Sequence, residues 1–228
     1  MSWMKKYQKK FNMFKVILNR EDPTIVEIGA HFGEDSVRFD EAFASPTIHC
    51  FEPDPRCIEI FKKHVNNPNI ILHEIALSNV EAELDFYQSY QTHAGKTPDK
   101  YDWISDEDYH SKKLNNSGSS SLKKGYRHTL SETIKVKSSR FDTWYNDNNI
   151  GEVDLAWIDV QGAERDVLEG MGDKIANVKF VWIEYGEQEY EDAMSREQTI
   201  EYMENKGFKV VSVFSAVTSA GDLLFQRK

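Results

Sequence analysis

Cysteine is scarce: the 228 residues carry only Cys50 and Cys57. Two thiols in a chain of this length make neither a disulfide framework nor a cysteine-rich zinc site, and Cys50, inside a predicted strand, reads as a small core residue. Long apolar runs are missing too. None reaches the roughly 18 residues of a membrane span, and the longest, 210–217, is broken by serines. The basic first 20 residues lack the continuous apolar centre of a secretory leader. Positive charge is also short. Lys and Arg total 28 against 38 Asp and Glu, a net −10 with pI near 5.2, so the basic footprint that grips nucleic acid is absent. These absences predict a cytoplasmic protein with no nucleic-acid partner and no membrane span, acting on a small molecule or carbohydrate. They leave the oligomeric state open.

A missing glycine narrows the ligand. Residues 24–33 read Thr-Ile-Val-Glu-Ile-Gly-Ala-His-Phe-Gly: a β-branched and apolar run, a glycine turn, then a helix-like segment, the opening unit of a doubly wound α/β domain. The turn lacks the middle glycine of Gly-x-Gly-x-x-Gly, against which a dinucleotide pyrophosphate would lie. That argues against a nicotinamide-dependent oxidoreductase. A phosphate-free nucleoside donor whose ammonium an acid can hold, S-adenosyl-L-methionine (SAM), fits better. Gly29 is predicted to let the ligand approach the backbone. Glu27, inside the strand, is costly unless something bonds it. A second strand, Thr47–Phe51, is closed by Glu52, and an acid about 20 residues past the glycine turn suits a ribose diol.

The rest of the chain continues the alternation. Met4, Tyr7, Phe11, Phe14 and Leu18 share one face of an N-terminal helix, predicted to lie on the domain with its lysines in water; contact with a membrane surface or partner is the alternative. Helices are expected over 34–44, with Val37, Phe39 and Phe43 to pack, and over 56–65; strands over 69–77, 81–88 and 132–137. Between 89 and 131 the pattern dissolves into an inserted loop holding Tyr101, Asp102, Trp103, Asp106, Glu107, Asp108 and Tyr109. Rings beside carboxylates suit a sugar, so this loop is expected to be a lid lining the acceptor site. A short helix over 140–146, strands over 153–160 and 178–185 ending at Asp159 and Glu184, and a helix from Ser195 with Gln198 completing a capping box follow. Two last strands, 208–214 and 223–226, are expected to turn at Ala220-Gly221-Asp222. The expected fold is one α/β Rossmann-like domain over 1–228: a seven-stranded, mostly parallel sheet with the last strand antiparallel and helices on both faces.

Val-Glu-Ile-Gly-Ala-His-Phe-Gly (26–33), Phe-Glu-Pro-Asp-Pro (51–55), Ala-Leu-Ser (76–78), Ser-Ser-Leu (120–122) and, above all, Ile-Asp-Val-Gln-Gly-Ala-Glu-Arg-Asp-Val-Leu-Glu-Gly (158–170) resemble the FkbM-type SAM-dependent methyltransferases. The resemblance implies an O-methyltransferase acting on a sugar, glycan or polyketide hydroxyl. It implies that Glu27, Gly29, Ala30 and Gly33 shape the methionine end of SAM, with His31, Ser36 and Pro53 as further cofactor-binding positions. Glu52 would hold the ribose, and Ala76, Leu77 and Ser78 would lie against the adenine. Asp159 and Gln161 would face the methionine moiety and the acceptor. Two positions depart from the family pattern, which has asparagine at His31 and lysine at Trp157.

Methyl transfer from a sulfonium is an in-line displacement governed by positioning, and an alcohol acceptor gains from a general base. Asp159 is the favoured base, with His31 and Glu184 as further catalytic candidates. Asp159 and Glu184 also match a Mg²⁺ pair, which takes few carboxylates plus waters, although the sequence offers no third clear ligand. Glu164, opening the following helix, is either catalytic or a cap. The competing class is a catalytically silent SAM-binding module that recognises a glycan or partner.

Overall fold

A computed structural model describes residues 3–90, 97–98, 101, 103–126, 130–187, 189–214 and 219–228; for 3–9, 130 and 131 it describes the backbone alone. Its main sheet is built from β1 (Thr24–Ile28), β2 (Thr47–Phe51), β3 (Ile70–His73), β7 (Val153–Ile158), β8 (Val178–Gly186), β9 (Phe208–Phe214) and β10 (Ala220–Arg227) in the order β3-β2-β1-β7-β8-β10-β9. Neighbouring pairs from β3 to β8 are parallel, and β10 runs antiparallel to both β8 and β9. The chain reverses its direction of winding between β1 and β7, and the carboxyl ends of β1, β2 and β7 meet there, where open α/β sheets bind their ligands.

The sequence explains the central strand. β7 reads Val-Asp-Leu-Ala-Trp-Ile and is buried at every position, the pattern of a strand covered on both faces. Its one charge, Asp154, lies at the amino end. It is held by the Thr24 N–H (2.9 Å), Lys179 Nζ (2.9 Å) and Arg20 Nη1 (3.1 Å), as a buried carboxylate must be.

Helix α1 (Trp3–Leu18) buries Phe11 and Phe14 on the sheet. The Phe14 ring stands 5.8 Å from Phe39, 5.7 Å from Trp157 and 5.6 Å from Trp182. Docking on the domain therefore holds for these residues, while the side chains of Met4 and Tyr7 lie outside the described set. The lysines divide: Lys15 is exposed beside Glu21, but Lys10 is turned inward, its Nζ 3.9 Å from the Trp157 ring centre. α2 (Glu34–Ala42) buries Phe39 and leaves Val37 in solvent, contrary to expectation, because its contact face is set by Ser36 and Phe39. α3 (Pro55–His64) starts with proline behind the Asp54 cap. No helix among the described residues is long and apolar enough to cross a membrane.

The expected strand 69–77 is two strands. β3 ends at His73; β4 (Ala76–Leu77) leaves the main sheet and pairs with β6 (Leu130–Ser139), which also pairs with β5 (Ala82–Ser89). The resulting three-stranded sheet packs Ala76, Phe86 and Val136 together. The expected turn at 220–222 is likewise part of a strand, since Asp222 pairs with both Glu184 and Phe214. Between β5 and β6 lies α4 (Asp106–Ser111), capped by Ser105, and a 3-10 turn at Ser117–Ser119. Tyr101, Ile104, Tyr109 and Leu114 form a small core with Phe32, Cys57 and Ile60. Of the rings expected to face a sugar, Tyr109 is therefore interior, because apolar burial outweighs exposure for it. Asp108 is tied to Lys63 at 2.5 Å, and Asp102 lies outside the described residues. α5 (Phe141–Asp147), α6 (Glu164–Gly170) and α7 (Arg196–Asn205) complete the helices, the last with both bonds of its Ser195–Gln198 capping box.

Phe14→Ala removes a fully buried ring from three aromatic neighbours. It is expected to cost about 3–5 kcal/mol, read as a lower urea midpoint at unchanged slope.

Candidate active site

The glycine turn is locked to the end of β2. The N–H groups of Gly29 and Ala30 both donate to the Phe51 carbonyl at 3.0 Å, and the His31 N–H donates to Glu52 Oε2 at 2.8 Å. The other Glu52 oxygen accepts the Asp54 N–H at 2.7 Å. Gly29 has φ +90°, and a Cβ there would stand 1.8 Å from the Asp159 carbonyl. Its glycine is thus demanded first by the packing of this turn on the end of β7, rather than by ligand approach alone. Gln161 and Gly162 also have positive φ (55° and 97°), making the second sharp turn, from β7 into α6.

Between these turns lies a cleft of about 280 Å³. Of the residues selected from sequence, Glu27, Gly29, Ala30, His31, Glu52, Pro53, Ala76, Leu77, Asp159 and Gln161 line it. Gly33, Ser36, Ser78 and Glu184 stand behind the wall. Gly33 lies under Phe61 and Val65, where a Cβ would come within 2.7 Å. Ser36 donates to Glu27, Ser78 is tied through its N–H to the Ser139 carbonyl at 2.9 Å, and Glu184 reaches the cleft through Gln161 and Asp159. Tyr101 of the expected lid loop lines the cleft too, as do Ser120 and Leu122 of the Ser-Ser-Leu motif and Trp157, none of which had been given a site role; Glu34, Asp35, Arg38, Phe86 and Ser117 were missed. The acids opening α2 directly after the turn were a usable signal; Ser117 was visible only as part of a loop.

Carboxylates crowd this space. Burial, then the charge of Asp35, pushes Glu27 well above the usual carboxylate range despite the bond from Ser36. Burial and the neighbouring Asp54 raise Glu52 to about 7. Asp54 is itself paired with Arg56 at 2.6 Å, and that guanidinium also reaches the Lys113 carbonyl (3.0 Å) and Ser120 Oγ (3.1 Å), fastening 113–120 to the β2 loop. Gln161 Nε2 donates at 2.7 Å to both Asp159 and Glu184, and Gln161 Oε1 accepts the Tyr190 hydroxyl at 2.9 Å. Burial and the charges of Asp159 and Glu164 hold Glu184 protonated far above its usual range. The amide bridge occupies the space that a shared cation would need, and among the described residues no group of three or more His, Cys, Asp or Glu could hold a metal.

His31 has φ 52° and both ring nitrogens engaged: Nδ1 with Glu34 Oε1 at 3.1 Å, Nε2 with Ser117 Oγ at 2.8 Å. Trp157 stacks on Trp182, centres 4.9 Å apart and planes 4° apart, and Lys10 Nζ lies over both rings. Position 157 thus carries a ring, with the Lys10 cation of α1 resting on it. Burial lowers the Lys10 pKa, with Asp35, Asp222 and Asp159 working the other way.

Comparison with known proteins settles the family. The methyltransferase FkbM domain model matches residues 27–210. The chain belongs to the FkbM methyltransferase family. It is a SAM-dependent methyltransferase, as the order of its motifs implied. It is 29% identical over 220 residues to the 2-O-methyltransferase NoeI of Sinorhizobium fredii, covering 92% of this chain and 82% of that one. Among solved structures it resembles an rRNA methylase of Streptococcus thermophilus (8% identity, 95% and 93% of the two chains, TM-score 0.50). It also resembles the fibrillarin pre-rRNA processing protein of Methanococcus jannaschii (14% identity, 91% and 67%, TM-score 0.50). These two share the fold with this FkbM protein.

Glu164 gives the site a pH signature. Burial lifts it to about 7 from 4.5, although the Val160 and Gly162 N–H groups donate to it. The folded state therefore keeps a proton that the unfolded chain releases. That contribution is complete below pH 4.5 and lost as pH rises through 7. Glu164→Gln is expected to be more stable than wild type at pH 8 by about 2–3 kcal/mol and equal to it at pH 4, measured by urea unfolding at both pH values.

Proposed function

We propose that this methyltransferase moves a methyl group from SAM to a hydroxyl of a sugar or glycan. The observation that carries the reading is that one cleft gathers two sets of groups. One set is acidic and apolar: Glu27, Glu52 and Asp159 with Phe51, Leu77, Phe86 and Leu122. The other is dense in hydroxyl, carboxylate and guanidinium groups: Ser117, Ser120, Tyr101, Glu34, Asp35 and Arg38.

The first set fits SAM, which brings a cationic ammonium and sulfonium, a ribose diol and an apolar base. Glu52, with each oxygen already fixed by one N–H, keeps lone pairs for the diol. Phe51, Leu77, Phe86 and Leu122 would bracket the adenine. Glu27, Asp159 and Gln161 would face the methionine end, with Gly29, Ala30 and Pro53 shaping the approach. Gly33, Ser36 and Ser78 act behind the wall, Ser36 by bonding Glu27. When bound, SAM supplies an activated methyl group, and the protein's task is alignment and proton removal.

The second set suits a polyol, whose hydroxyls both donate and accept. The NoeI relative, a 2-O-methyltransferase, supports an oxygen acceptor. Tyr101, Ser117, Ser120 and Leu122 would form the lid side of the cleft. Gln161 already occupies the Asp159 carboxylate, whereas His31 meets the hydroxyl-bearing side of the cleft through Ser117, so His31 becomes the favoured base.

Glu52→Gln is expected to weaken SAM binding about 10–100-fold by titration calorimetry, since an ionised acceptor bond to a diol is worth about 1.5–3 kcal/mol. With SAM and a panel of methyl hexosides and 6-deoxyhexosides, S-adenosylhomocysteine should accumulate. Tight SAM binding with no product on any glycoside would refute the sugar acceptor.

A further inference from the structure

We propose that Ser117, His31 and Glu34 form a proton relay in which the Ser117 hydroxyl receives the proton of the acceptor hydroxyl while passing its own to His31 Nε2. This rests on the methyl-transfer reading above and adds to it a residue, Ser117, that touches the acceptor.

The geometry is directional. Glu34 is placed by the first turn of α2. Its Oε1 lies 3.1 Å from His31 Nδ1, and its Oε2 accepts the Phe32 N–H at 3.0 Å. Tyr101 also donates to it. Burial alone would raise Glu34, but its bonds from His31 and from backbone N–H groups hold it below the ordinary carboxylate range. An ionised carboxylate only accepts, so Nδ1 carries the ring proton, and in the neutral imidazole that the resting relay requires Nε2 is the bare acceptor. The Ser117 hydroxyl, 2.8 Å away, therefore donates to Nε2. The oxygen's lone pairs are left for a group in the cleft that Ser117 lines.

The route to His31 runs through Ser117, because Ser117 Oγ already occupies the approach to Nε2. Both ends are fixed by backbone bonds: the His31 N–H to Glu52 at 2.8 Å and the Ser117 N–H to the Leu114 carbonyl at 2.9 Å. The next residue, Gly118, leaves the ring uncrowded, since a Cβ there would come no nearer than 3.8 Å to Nε2. The arrangement copies the logic of a hydroxyl, imidazole and carboxylate in line, with the hydroxyl relaying a proton instead of attacking.

The step balances. The acceptor O–H bond breaks and an O–CH₃ bond forms, while the carbon–sulfur bond of the donor breaks with its electron pair left on sulfur. The acceptor proton moves to Ser117 Oγ and the Ser117 proton to His31 Nε2. The resulting imidazolium faces Glu34, and its proton is released to water after product leaves.

Two measurements on the full chain test the relay. ¹⁵N NMR of the imidazoles, with His31 assigned by its loss in His31→Asn, is expected to show the Nδ1-protonated tautomer in wild type and its loss in Glu34→Gln. A proton on Nε2 in wild type overturns the relay whatever the turnover. With SAM and the same glycoside panel, His31→Asn is expected to lower kcat about 10²–10⁴-fold and Ser117→Ala at least 10-fold, with KM for SAM within about twofold. Ser117→Thr should retain most of the rate. The double variant should be no slower than His31→Asn, as for groups acting as a unit. Wild-type turnover with an unaffected Ser117→Ala, or with effects that multiply in the double variant, overturns the relay and leaves the methyl-transfer reading standing. Absence of wild-type turnover fells that reading, and the relay with it.

Discussion

The site depends on one clamp: the Phe51 carbonyl and the Glu52 carboxylate together accept three consecutive N–H groups, from Gly29 to His31. This welds the end of β1 to the end of β2. Backbone donors in a tight turn must find acceptors, and here the acceptors belong to the residues that form the opposite wall. The clamp fixes the left-handed His31, and with it the ring that faces Glu34 and Ser117. It also holds Glu52 in a buried position where its ionisation is delayed to about 7.

A second constraint is electrostatic. A sheet that gathers acids at one edge must keep some of them protonated or supply cations. Both remedies occur. Glu27 and Glu184 are held neutral by burial and by their neighbours, while Lys10 arrives from outside the βα alternation to stand near Asp35, Asp222 and Asp159. The opposite edge solves the same problem differently. Asp154 is met by Lys179, Arg20 and a backbone N–H, a closed arrangement with structural work only. An ionised acid saturated by partners supports the fold; acids left neutral beside open space are poised to change state.

Much of this was legible in the residues. The runs 24–33 and 153–162 announce two strands that end in sharp turns, and both turns border the cleft. Glu52 was legible because a fixed length of helix separates two parallel strands. The division of 69–77 was not, because the pairing of β4 with β6 is a long-range choice that local apolarity does not encode. α4 was hidden among polar residues whose helical signal is a cap rather than a stripe. The meeting of His31 with Ser117 joins segments far apart in the chain, and only tertiary structure could reveal it. Gly29 shows a different limit: the glycine stood out in the sequence as a point of ligand approach, but the Asp159 carbonyl already fills the place a Cβ would take.

The paired indoles of Trp157 and Trp182 lie 4.9 Å apart with nearly parallel planes, and Trp157 is part of the cleft wall. Two chromophores that close share their excited states, and an ammonium resting on them shifts those states by its field. The floor of the cleft is therefore a built-in optical reporter, and anything that displaces Lys10 or tilts either ring changes the ultraviolet spectrum of the whole molecule.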